Sequence, residues 1–174
     1  ARDAANQAVA IAPDAAGVTA IGDDTWIARS RYVLAEISRV EAEAIAIRAD
    51  RTTVESEITD RVTRTVHAHA QFNETIRVGN PEWAAAAGFR IGEMYRDLYR
   101  AIVEAPLPTE WGERARAAWH RRTSELLRPL LSGAIRSWEA TMSMAQRNGI
   151  TANEWVHRAD EALREFRHAF IEPG

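Results

Sequence analysis

Residues able to do chemistry are thinly spread in this chain. Glu165-x-x-His168 has the i, i+3 spacing by which a helix of a di-iron carboxylate bundle offers a carboxylate and an imidazole to metal. A complete site of that kind needs such pairs on two helices and two further Glu. Without them the pair is ordinary polar helix surface. His67-x-His69 sets two imidazoles at i and i+2, which point to different sides of a helix. His69 therefore reads as a part-buried side chain and not as a ligand. Arg114, Arg116, Arg121, Arg122 and Arg128 could meet an anion, but Glu110, Glu113 and Glu125 are interleaved with them, the pattern of a solvated helix face. No His-Glu-x-x-His, Gly-x-Ser-x-Gly, phosphate-binding loop or dinucleotide fingerprint occurs. The expectation is a protein with no catalytic residues, no bound metal and no cofactor.

Composition narrows the classes further. The 174 residues suffice for one domain with a core, and 46% hydrophobic against 27% charged residues is the balance of a soluble globular chain. A net charge of -3 argues against nucleic acid as partner, since phosphate binding needs a basic excess. There is no cysteine, hence no disulfide and no thiolate chemistry, which suits cytosol and periplasm alike. Lysine is absent too, and arginine's planar fork favours bidentate ion pairs. No apolar run approaches the roughly 20 residues of a membrane span, and no signal peptide is visible. The opening at Ala1 suggests a trimmed or mature form.

Helical periodicity dominates the chain, and the expected fold class is all-α. Residues 1–22 form an Ala- and Gly-rich N-terminal segment, with a short helix expected over 2–11. One helical-repeat domain follows over 23–174. Asp23 or Asp24 should cap a first helix whose apolar stripe is Trp26, Val33, Ile37, Val40, Ala44 and Ile47. Thr52-Thr-Val-Glu55 is a capping box, and the second helix carries Val54, Ile58, Val62, Thr65, His69, Phe72 and Ile76 on one face. Asn80-Pro81 opens a third helix, which ends before Pro106. Thr109 should start a long fourth helix that bends or breaks at Pro129 and turns Leu126, Leu127, Leu130, Ala134, Trp138 and Ala145 inward. Asn148-Gly149 stops it, and Asn153 caps a last helix to about residue 170.

Aligning Trp26, Trp83 and Trp155 exposes an internal repeat. Eight residues on stand Leu34, Ile91 and Leu163; ten on stand Glu36, Glu93 and Glu165. Helix-start signals precede each Trp: Asp24-Thr25, Pro81-Glu82 and Asn153-Glu154. Ala68-x3-Phe72 and Ala134-x3-Trp138 repeat in the intervening helices. The units are then two helix pairs, about 24–80 and 81–149, and a closing helix, about 152–170.

Ile91-Gly92-x2-Tyr95 resembles the L-G-x2-Y of helix A in tetratricopeptide (TPR) repeats, and the two Ala-x3-aromatic pairs resemble its helix B. The Trp spacings, 57 and 72 residues, exceed the TPR repeat of about 34, so both helices must be lengthened. Over residues 24–168 the chain is similar to enlarged TPR proteins of myxobacterial-type cell envelopes, including those of gliding motility. The resemblance implies a TPR-like array of antiparallel long-helix hairpins. It also implies a non-catalytic scaffold for a protein or peptide partner, in the periplasm or cell envelope, although a cytoplasmic place fits the sequence as well. A homo-oligomer is compatible with it. The family's groove positions fall on Arg29, Tyr32, Glu36 and Arg39, on Phe89, Glu93, Arg96 and Asp97, and on Glu161, Glu165 and His168 of the closing helix. The alternative is that the long helices fill this groove themselves. From other classes, the rivals are a helical-bundle metal or cofactor binder, hinted at by Glu165-x-x-His168, and the effector-binding domain of a regulator, which would enclose an apolar pocket.

Overall fold

The computed structural model describes residues 2, 3, 6, 7, 23–48 and 54–170, and every regular element among them is helical. Five helices follow residue 22: α1 (Asp23–Glu43), α2 (Val54–Arg77), α3 (Pro81–Val103), α4 (Glu113–Asn148) and α5 (Glu154–Phe170). The all-α expectation holds. Of the expected helix over 2–11, residues 2, 3, 6 and 7 are helical and the rest lie outside the described residues, as does Thr52 of the capping box. Asp23 and Asp24 stand in the first turn of α1, and the residues just before it lie outside the described ones.

Local chemistry accounts for the helix ends. Asn80 Oδ1 accepts from the Trp83 amide at 3.1 Å, with Pro81 in the first turn where a missing N–H costs nothing. Asn153 Oδ1 accepts from the Trp155 amide at 2.8 Å. Gly149 closes α4 in the left-handed conformation, φ 68°. Gly79 takes φ 88° and turns the chain from α2 into α3.

Helix α3 is the axis of the molecule, and it packs against each of the other four helices. Arg90, Glu93, Arg96 and Asp97 mark a polar side, while twelve of its residues are buried. Its small side chains permit this: Ala84 to Gly88 form an unbroken small-residue run. Side-chain pairs give the directions. Thr25 meets Asn80 and Glu36 meets Arg90, so α1 runs parallel to α3. Ala85 clusters with Val156, and Phe89 with Leu163 and Phe166, so α5 is parallel as well. His69 meets Tyr95 while Val62 packs near Leu98, so α2 is antiparallel. Gly88 faces Thr141 and Gly133 faces Tyr95, so α4 is antiparallel too. Helices α2 and α4 both lie on α3 but do not pack on one another.

Three expectations are corrected. The stripe on α1 does not bury as a unit: Trp26 is 65% exposed and Val40 54%, whereas Ala28, Tyr32, Ala35 and Ala42 are buried. Small residues won that face because they let α1 approach α2 and α3 closely. Ile47 is buried, but beyond the end of α1. Leu126 does not turn inward; it is 68% exposed. Helix α4 starts at Glu113 and not at Thr109. Of the bend or break expected at Pro129, no break occurs: the helix runs for 36 residues with Pro129 inside it. The carbonyl of Glu125, which loses its usual donor, belongs to an exposed residue beside exposed Pro129, where water can serve it.

Candidate functional site on two sides of the central helix

The side of α3 facing α1 and α5 gathers most of the expected groove residues, around a residue that sequence reasoning missed. Arg90 Nε lies 3.3 Å from Tyr32 Oη and 3.3 Å from Glu36 Oε1, and Nη1 donates to Glu93 Oε2 at 2.6 Å. Its guanidinium carbon stands 5.4 Å from the ring centre of Trp155 on α5 and 5.8 Å from that of Phe89. One side chain thus joins three helices, with cation–π contact on two sides.

The charges continue along both neighbours. Arg39 pairs with Glu36 at 3.1 Å and with Glu43 at 2.6 Å, and Arg96 pairs with Glu93 at 3.1 Å and Asp97 at 2.9 Å. Arg61 of α2 donates to the Ile45 carbonyl at 3.0 Å and lies in the field of Glu43 and Asp97. Burial lowers its pKa, and those two carboxylates oppose the shift. The set forms a ring of four arginines and four carboxylates whose charges balance. Burial alone would lower the Arg90 and Arg39 guanidinium pKa values. Bonds to Tyr32 and Glu36 for the first, and to Glu36 and Glu43 for the second, outweigh burial and raise both. The Tyr32 phenol is raised, by burial first and by Glu36. Charged neighbours and hydrogen bonds compensate the desolvation of this half-buried ring.

Aromatic rings fill the space beneath it. Tyr32 stands 5.2 Å from Trp83, 5.8 Å from Phe72 and 6.2 Å from Trp155, and Phe89 stands 5.7 Å from Trp155. Tyr32 and Phe89 are therefore core residues, while Glu36, Arg39, Glu93, Arg96 and Asp97 belong to the charged ring. Arg29, Glu161, Glu165 and His168 are exposed and take no part in it. Arg29 lies over Trp26, 5.6 Å from its ring centre. In the sequence, Arg90 and Glu93 were visible as an i, i+3 pair. Nothing there placed Glu36 and Trp155 beside them.

The chemistry-bearing spacings resolve separately. Glu165 and His168 are exposed, and so are Glu154 and His157, a second Glu-x-x-His on the same helix. Pairs on one helix cannot face each other across a bundle. Among the described residues no group of three or more His, Asp or Glu is placed to hold a metal ion. His67 is exposed and bonds Gln71, whereas His69 is half-buried. Arg114, Arg116, Arg121, Arg122 and Arg128 are all exposed, with Arg116 donating to the Thr109 and Trp111 carbonyls. No helix among the described residues is long and apolar enough to cross a membrane.

On the other side of α3 lies a cleft of about 630 Å³, walled by α2 and α4. Stripes at i, i+4 and i+7 line it: Ala84, Gly88, Ile91 and Tyr95 on the floor, His69, Asn73 and Ile76 on one wall. The α4 wall follows Pro129, Gly133, Arg136, Ala140, Met144 and Arg147. His69 Nδ1 is 2.9 Å from Tyr95 Oη, and its Nε2 is 3.1 Å from Asn73 Nδ2. One neutral tautomer satisfies both, with Nδ1–H donating to Tyr95 and Nε2 accepting from Asn73. Burial lowers the His69 pKa. It raises that of Tyr95, which the positive charge of Arg136 opposes. Comparison with protein-family models, with curated proteins and with solved structures finds no match.

Proposed function

We propose that the chain is a non-catalytic protein–protein interaction module built on enlarged TPR-like helix pairs. In this reading α1 and α2, then α3 and α4, are the two units, and α5 closes the array. The observation that carries it is the side-by-side alignment of α1, α3 and α5, parallel and clamped by Arg90, with α2 and α4 antiparallel between them. Repeat units gain stability from their neighbours and present extended surfaces to partners. The outer side of α5 supports the closing role: Glu154, His157, Arg158, Glu161, Arg164, Glu165 and His168 are all exposed, the polar face a terminal unit needs. Arg90 links the three parallel helices, and the exposed charges outside the ring, Arg29, Glu161, Glu165 and His168, remain available to a protein partner. The resemblance to envelope repeat proteins extends the proposal to a scaffold in the periplasm or cell envelope.

The test is capture of partners on immobilised protein, with Glu161→Arg/Glu165→Arg and Arg29→Glu as surface variants and mass spectrometry as the readout. A partner protein held by the parent and released by a surface variant supports the module. Stoichiometric metal or a tightly held small molecule in the purified protein, with no protein partner, sinks it.

A further inference from the structure

The cleft between α2 and α4 has the properties of a helix-docking groove. It follows α4 from Pro129 to Arg147, so its long wall extends about 27 Å at the 1.5 Å rise of a helix. The floor from Ala84 to Tyr95 extends about 17 Å and the α2 wall from His69 to Ile76 about 11 Å, so about two to three turns of a helix are walled on both sides. Its floor is built of small and apolar residues of α3, and Met144 on the wall is an adaptable contact. Neither wall helix packs on the other. The floor residues Ala84, Gly88 and Ile91 are buried at the bottom of the cleft, and its accessible apolar lining is Ile76, Pro129 and Met144 on the walls. The charge is one-sided: no acidic residue lines the cleft, whereas Arg136 and Arg147 both do. Both are exposed, and among the described residues neither meets a carboxylate. Eleven residues apart, they stand on the same side of α4, three turns from each other.

We propose that this cleft receives an acidic amphipathic helix of a partner protein, with an apolar stripe between the α2 and α4 walls and two carboxylates about three turns apart meeting Arg136 and Arg147. The inference deepens the interaction-module reading and rests on it. It differs in assigning the partner to the α2–α4 side, away from the charged ring. Helix-in-groove recognition uses apolar anchors at i, i+3/i+4 and i+7, the same spacing as the three stripes. The rim arginines would set orientation and register.

The probe is a fluorescein-labelled 18-residue helical peptide with a leucine stripe and two Glu eleven residues apart, titrated into the whole chain and followed by anisotropy. A second peptide carries Arg at the two Glu positions. The acidic peptide is expected to bind the parent at least tenfold more tightly than the Arg peptide. Arg136→Glu/Arg147→Glu should reverse that order, and its circular dichroism melt controls for folding. Equal binding of both peptides, or an order unchanged in the variant, overturns the proposal. So does binding of dodecanoate in place of either peptide, or self-association that buries the cleft in sedimentation experiments. The capture experiment separates the two readings: a native partner lost with the surface variants but kept by Arg136→Glu/Arg147→Glu leaves the module standing and removes the cleft as its site.

Discussion

A Cβ added to Gly92 would stand 2.2 Å from Nε1 of Trp138, and Trp138 is fully buried. That indole donates to the Phe89 carbonyl at 3.2 Å, and Ser137 donates to the Gly88 carbonyl at 2.8 Å. Helix α4 thus reaches the backbone of α3 directly, through positions where α3 has no side chain.

Gly92→Ala is accordingly expected to destabilise by roughly 1–3 kcal/mol through overpacking, even though alanine favours a helix by about 1 kcal/mol. Gly133→Ala meets only the Tyr95 ring, at 3.3 Å, and should stay within about 1 kcal/mol of the parent. Urea unfolding followed by tryptophan fluorescence measures both. A Gly92→Ala protein as stable as the parent would refute the close approach.

Arg90→Met removes the cation shared by Glu36 and Glu93 and leaves both carboxylates half-buried. A loss of about 1–3 kcal/mol is expected. In a double-mutant cycle with Glu36→Gln, the coupling should exceed about 0.5 kcal/mol, because the two groups touch. Strict additivity would mean that the ring is held without this pair.

His69 gives the pH dependence its sign. Burial lowers its folded pKa below the ordinary value, and protonation would also end its acceptance from Asn73. The unfolded chain therefore binds the proton more readily, so this contribution to stability is present above about pH 6.5. It declines as pH falls through that value toward the folded pKa. Denaturant midpoints between pH 5 and 7.5 should fall on acidification in the parent and fall less in His69→Gln. Parallel profiles would remove His69 as the origin.

The three aligned tryptophans should differ in cost. Trp26 is mostly exposed, so Trp26→Ala is expected to cost less than about 1 kcal/mol. Trp155 packs on Tyr32, Phe89 and Arg90, and its loss should cost about 2–4 kcal/mol. Trp83 packs on Tyr32 in the same core cluster and should fall between them. Thermal melts of the three variants decide the order, and a Trp26→Ala protein as damaged as Trp155→Ala would contradict it.

Local signals determined the helices themselves. The Asn80 and Asn153 caps, Gly149, the prolines near the end of α3 and the 3.6-residue stripes all act within a few residues of chain, so they can be read without a fold. The core residues Phe72, Trp138 and Ala134 were legible for the same reason: they are the apolar centres of strongly periodic segments. What α1 buries was not legible. Its Trp26–Val40 stripe is the more hydrophobic, yet the alanine-rich face packs, because interhelix distance is decided by both partners and α3 presents the small run Ala84 to Gly88 at its start. Arg90 was invisible as a hub for a related reason: Tyr32, Glu36 and Trp155 reach it from 58, 54 and 65 residues away, across two helix interfaces. The cleft depends on α2 and α4 both resting on α3 without meeting. Each of its three stripes has ordinary helical spacing in the sequence. Only the tertiary packing turns them toward one another, because the direction a helix face points is set by what its neighbours leave uncovered.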